Sequence, residues 1–188
     1  TGVQTCALPI YFTITAGSVT EGADVTLTVT RNRDADAAQT VQYGTVAGSA
    51  VSGSDFTAGS GTLTFAPGVL TQTVTISTID DAVFDSASPE NFTATLGARN
   101  FGGIASGTAT AAITDNETAP SYAVTAAGAV TEGTGIVFTV TRSRSSDSND
   151  QIAFGTVAGS ASAGTDFTAQ SGTLTVTPGV DRKSTRLN

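Results

Sequence analysis

The stretch TIDDAVFD, residues 78–85, gathers Asp80, Asp81 and Asp85 in a chain otherwise rich in Thr, Ala, Gly, Ser and Val. Crowded carboxylates suit either proton transfer between paired acids or capture of a hard cation by several oxygens. Other acids stand in turns or just past strand-like runs: Glu21 in VTEG, Asp55 in GSDF, and Asp115 and Glu117 in ITDNE. If these positions meet at one end of a sheet, their like charges repel unless a cation holds them. Calcium takes about six to eight oxygen ligands from adaptable loops, whereas magnesium demands stricter octahedral geometry. Zinc favours His and Cys, and the chain has no His and one Cys, Cys6.

The elements that must carry these acids read as short strands. YFTIT (11–15), DVTLTVTR (24–31), TVQYGTV (40–46), GTLTFA (61–66), TQTVTIST (71–78), NFTATLGA (91–98) and GTATAAIT (107–114) mix or alternate apolar and polar residues between turn-forming segments. Val25, Leu27 and Val29 alternate with Thr26, Thr28 and Thr30, so one face enters a core and the other meets water. The expected core is Phe12, Ile14, Val25, Leu27, Val29, Val41, Tyr43, Leu63, Phe65, Val74, Ile76, Phe92, Leu96 and Ile113. Short strands at this density predict two packed antiparallel sheets with Greek-key connections.

An internal repeat sets the domain plan. VTEG (19–22), GTVAGSA (44–50), DFTA (55–58) and SGTLT (60–64) return at 130–133, 155–161, 166–169 and 171–175, each 111 positions on and without insertion or deletion. That period fits a whole sandwich better than a solenoid unit. The second copy runs from near Ser121 to Val180, the counterpart of Val69, so it is expected to lack its last three strands and to be unstable as an isolated fragment. The short connection DNETAPS, 115–121, predicts repeats placed end to end.

Both chain ends have a separate reading. VQTCALPI (3–10) can be read back as GTT CAG ACG TGT GCT CTT CCG ATC, and the reverse complement of that DNA would encode DRKSTRLN (181–188) in frame. The DNA is a common sequencing-library adapter. The expected organisation is therefore adapter-derived residues 1–10, a first repeat at 11–118, a second, truncated repeat at 119–180, and adapter-derived residues 181–188. Cys6 and the one lysine, Lys183, then fall outside the repeats.

A net charge of −8 argues against nucleic acid as a partner, because phosphate binding needs clustered Lys and Arg. No apolar run approaches the ~18 residues of a membrane span. Glycines of VTEG and GTVAGSA read as turn and packing elements, since no helix follows them to form a phosphate cradle. Asp34, Asp36, Asp147 and Asp150 lie in hairpin loops and read as solvated surface, with Arg31 and Arg142 as strand-end ion-pair partners.

The order VTEG, TVTR, GSDF, SGTLTFAPG, VTISTIDD, ENFTATL and ITDN resembles the Calx-beta domain, a family known from sodium/calcium exchangers, an integrin β subunit and large bacterial surface proteins. The resemblance covers 11–118 and the first half of a second copy. It implies an all-β, immunoglobulin-like Greek-key β-sandwich, one complete and one incomplete copy in tandem, that binds Ca²⁺ at one tip. Carried over residue by residue, it implies Glu21, Asp55, Asp80, Asp81, Asp115 and Glu117 as metal ligands, with Asp85 where the family often has Glu. SASP (86–89) makes the following loop longer than the family's, which puts Glu90 in doubt, and Glu117 stands where Asp is commoner. Only Glu132 and Asp166 of that set recur in the second copy, too few for a calcium cage.

The resulting expectation is a non-catalytic, calcium-binding repeat of a large secreted or surface-anchored, bacterial-type protein, with Ca²⁺ stiffening an array for adhesion or cell communication. Its partners would be calcium ions, neighbouring repeats of the chain, and a cell-surface protein or glycan. The alternative is a structural spacer or a carbohydrate- or protein-binding sandwich without a working metal site. A glycoside hydrolase is disfavoured because the acids sit on loops of a repeated unit and aromatics are only 6%, leaving little to stack a sugar.

Overall fold

The computed structural model describes residues 8–179 and 182–187. Its contacts define two units, one from residues up to Asp81 and from Ala87 to Asn116, the other from Ala82–Ser86 and from Glu117 onward. No helix among the described residues is long and apolar enough to cross a membrane.

The first unit contains β1 (Tyr11–Ala16), β2 (Val19–Thr20), β3 (Val25–Arg31), β4 (Gln39–Ala47), β5 (Ser60–Phe65), β6 (Thr71–Ile76), β7 (Glu90–Arg99), β8 (Gly103–Ser106) and β9 (Thr108–Thr114). One sheet has the order β6-β3-β1-β8 and the other β2-β9-β7-β4-β5. Together they form an immunoglobulin-like Greek-key sandwich. The seven expected strands all form, with ends displaced by a few residues. β2 and β8 are additional, and each pairs in parallel, β2 with β9 and β8 with β1. Neither carries an alternating run, so their extended form comes from the neighbouring edge rather than from local pattern.

Apolar alternation buries as expected, with Val25, Leu27 and Val29 on β3 fully covered. Tyr43, Leu63 and Val74 pack against the core while remaining partly exposed. Phe56 is a core residue outside the predicted set, fully buried and stacked on Phe92 with ring centroids 4.3 Å apart. It lies in the β4–β5 loop, pinned by a bridge to Thr78, so no strand period marked it. Ile10 is buried as well.

At the far end of β3 from the Glu21 turn, Arg31 is fully buried over the Phe65 ring. Its guanidinium donates to Asp34 Oδ1 at 2.8 Å, Val69 O at 2.8 Å, Ala66 O at 3.3 Å and Gln39 Oε1 at 3.4 Å. The strand-end ion pair expected for Arg31 is present, and Asp34 stays on the surface as expected, its side chain 56% exposed, while also bonding Arg31 and the loop backbone. The backbone N–H groups of Gly68 and Ala35, and then the charge of Arg31, hold the Asp34 carboxyl below its ordinary value of 3.8.

The second unit contains β10 (Tyr122–Ala126), β11 (Ile136–Arg142), β12 (Asp150–Gly155), β13 (Ser171–Val176) and β14 (Arg182–Leu187), arranged as sheets β10-β11-β14 and β12-β13. β14 pairs with β11 from Ile136↔Leu187 to Thr141↔Arg182, the register that β6 keeps on β3. A strand thus stands where the repeat was expected to have ended, paired on β11 in the place that β6 takes on β3. The counterparts of β7 and β9 do not occur among the described residues.

Arg142 repeats the Arg31 arrangement, bonding Asp150 Oδ2 at 3.1 Å and Thr177 O at 3.3 Å. Tyr122 donates to the same Asp150 carboxylate, and burial followed by that bond and charge pushes the Tyr122 phenol above 10.0. Asp147 accepts from Ser86 N at 3.0 Å and Ser86 Oγ at 3.3 Å. Asp147 stays exposed, as expected, while bonding Ser86, whereas Asp150 is partly buried between Arg142 and Tyr122.

Candidate metal centre

The parallel pair β2–β9 is what joins the first acid to the last. With Val19 opposite Ile113 and Thr20 opposite Thr114, the next residues along both strands are Glu21 and, at the other, Asp115. The Glu21 N–H donates to Thr114 O at 3.0 Å and locks that alignment. Carboxylate oxygens of Glu21, Asp115 and Glu117 lie within 4.8 Å of one another, Glu117 being two residues beyond Asp115 on the same run of chain.

Asp80 arrives from β6. The antiparallel register Val25↔Ile76 brings the end of β6 to the start of β3. Thr78 Oγ1 then donates to Ala23 O at 2.7 Å and ties the outgoing loop to the Glu21–Gly22–Ala23 turn. Gly22 has φ +76°, and a Cβ there would stand 3.0 Å from Asp80 Cβ. Glycine permits both the left-handed backbone and the close approach. Asn116 Nδ2 donates to Asp80 Oδ1 at 2.7 Å, and the Asn116 N–H approaches Glu21 Oε1 at 3.4 Å. Asn116 links the two limbs of the acidic cluster, and only its place beside Asp115 in ITDN hinted at such a role.

The remaining candidates take other positions. Asp55 closes its own loop, its Oδ2 accepting Val51 N–H at 2.5 Å, while its carbonyl accepts Ile79 N–H at 2.9 Å beside Asp80. Asp166 repeats that turn on Ser162 N at 2.7 Å. Asp81 is exposed on the loop after β6, and Asp85 lies on the segment Ala82–Ser86 that packs with the second unit. Glu90 opens β7 opposite Ile113. Ser88, in the inserted SASP, accepts the Asp115 N–H on its Oγ at 2.8 Å, so this longer loop supports an acid at the cluster.

The donor set consists of oxygens alone, which suits a hard cation. Carboxylates at about 4 Å repel by about 1 kcal/mol per pair in water and by about 4 at an effective dielectric of 20. A divalent ion would turn that repulsion into attraction.

An immunoglobulin-like sandwich with carboxylates collected at one end of its strands defines a class of ion-binding β-modules. The Calx-beta domain model matches residues 7–117 and 122–188, and the chain belongs to the Calx-beta domain family. The solved apo-form Calx CBD1 domain is similar at 29% identity with a TM-score of 0.54, over 58% of this chain and 100% of that one. CBD12 from CALX1.2 is similar at 26% identity and a TM-score of 0.53, over 96% of this chain and 76% of that one. The calcium binding domain CBD12 of CALX1.1, at 23% identity and a TM-score of 0.53, covers 96% of this chain with 75% of its own and shares the fold. No curated protein matches the chain.

Proposed function

We propose that the acidic end of the first repeat binds Ca²⁺ and that the module serves as a non-catalytic repeat in a surface-exposed or secreted array. The observation that carries this reading is the convergence of Glu21, Asp115 and Glu117 within 4.8 Å, with Asp80 held against the Glu21 turn through Gly22 and Asn116. Glu21, Asp80, Asp115 and Glu117 would hold the ion, with Asp81, on the same loop as Asp80, as a further ligand. Bound calcium supplies charge neutralisation. The protein's part is to align β2 with β9, to pin the Asp80 loop through Thr78, and to orient Asp80 through Asn116. Tying the Glu21 turn to residues 115–117 would reduce the freedom of the chain leading into the next repeat and so stiffen an array suited to adhesion or cell communication.

Calorimetric titration of Ca²⁺ into chelator-treated protein, paired with thermal melting, tests the reading. Calcium at one hundred times its dissociation constant should stabilise the first repeat by about 2.7 kcal/mol. Glu21→Gln with Asp80→Asn should abolish both heat and shift. Melting unaffected by calcium would leave the structural-spacer reading. The Val51–Asp55 turn, repeated at Ser162–Asp166, favours that role for Asp55 alone.

A further inference from the structure

We infer that Asn116 makes the acidic end of the first repeat a one-ion site, its amide closing the place beside Asp80 where a second cation would sit. The inference rests on the calcium reading above and concerns how many ions the site takes. The carboxylates fall into two groups. Glu21, Asp115 and Glu117 bring oxygens within 4.8 Å of one another, and Asp80 stands outside that set. Along the chain leaving β9, Asp115 and Glu117 turn to Glu21, while Asn116, between them, turns its amide to Asp80, as side chains alternate along a strand.

The contact with Asp80 has the wrong polarity for a shared metal. Oδ1 of Asp80 is an acceptor, so the 2.7 Å contact puts Nδ2 of Asn116, with its hydrogens, against that oxygen. A cation coordinated on that side would meet the positive end of the amide dipole. A carboxylate in the same place would instead offer two more oxygens to an ion held by Asp80, with Asp81 next along the exposed loop. Two contacts fix this arrangement. The Asn116 N–H approaches Glu21 Oε1 at 3.4 Å, and the Cβ position of Gly22 lies 3.4 Å from Asp80 Oδ1, which keeps that oxygen against the Glu21 turn. Asn116 thereby does for Asp80, with a neutral group, what a second ion would do, and leaves Asp80 only its other oxygen to offer the ion of the triad.

The test is native mass spectrometry with calorimetric titration of the full chain, using Ca²⁺ alone. The parent chain should take one ion. Asn116→Asp should take two, the second filling within the range of about 0.1–1 mM that extracellular calcium modules span. Asp80→Asn combined with Asn116→Asp exchanges acid and amide at unchanged charge and should return to one ion. In the ¹⁵N-labelled parent chain, the Asn116 side-chain amide should stay protected from exchange on calcium loading, because its bond to Asp80 persists. This signal and the parent stoichiometry decide the matter even if Asn116→Asp does not fold. Two ions on the parent chain, a single ion on a folded Asn116→Asp chain, or loss of the amide protection on loading would overturn the inference. No ion on any of the three proteins would overturn the calcium reading itself, and this inference with it.

Discussion

Replacing Gly22 by Ala probes the metal centre without removing a carboxylate. The backbone there has φ +76°, where an L-residue costs about 1–2 kcal/mol. The new methyl would also lie 3.0 Å from Asp80 Cβ and 3.3 Å from its Cγ, so Asp80 must move away from the Glu21 turn. Gly133 in the second copy supplies the control: its φ is +82° but no atom lies within 4 Å of its Cβ position, so Gly133→Ala brings backbone strain alone. At roughly 4–8 °C per kcal/mol, the strain term predicts a loss of about 4–16 °C in the melting of the first repeat. Displacing one ligand should further weaken calcium on the order of tenfold, or about 1.4 kcal/mol. Titration calorimetry on both variants separates the two effects. If Gly22→Ala binds calcium as tightly as Gly133→Ala, Asp80 is not a ligand held by that turn, and the reasoning fails.

Two further variants test the body of the sandwich. Phe92→Ala removes the ring stacked on Phe56 and should cost about 3–5 kcal/mol, measured by denaturant unfolding. Asp34→Asn addresses acid stability: because folding lowers the Asp34 pKa from 3.8, the carboxylate stabilises the fold above that value, and the contribution fades as pH falls through the lower folded pKa. The variant should therefore show a flatter fall in melting temperature below about pH 4 than the parent chain, and an unchanged slope would contradict the assignment.

The strands of the sandwich were legible because Val and Leu alternate with Thr along β3 and β6, and burial of one face follows from that period. The acids of the metal centre were legible as residue types at strand ends, but the geometry that joins Glu21 to Asp115 was not. It depends on the two residues of β2, whose pairing with β9 is decided by the edge they meet rather than by their own propensity. Phe56 escaped for a related reason, as a loop residue buried by a contact with Phe92 far along the chain. The partners of Asp34 and Asp150 were less legible, because nothing local marks Arg31 and Arg142 as buried; the burial of these two arginines arises when neighbouring strands and carbonyls close over them.

The parallel alignment of β2 with β9 also determines how the first repeat carries mechanical load. Tension that passes β1 and reaches this pair pulls the start of β2 against the finish of β9. In a parallel pair those points lie at opposite ends of the shared edge, so the pull acts along the strands and loads Val19–Ile113, Thr20–Thr114 and the Glu21–Thr114 hydrogen bond together in shear. An antiparallel edge pulled the same way would unzip one bond at a time.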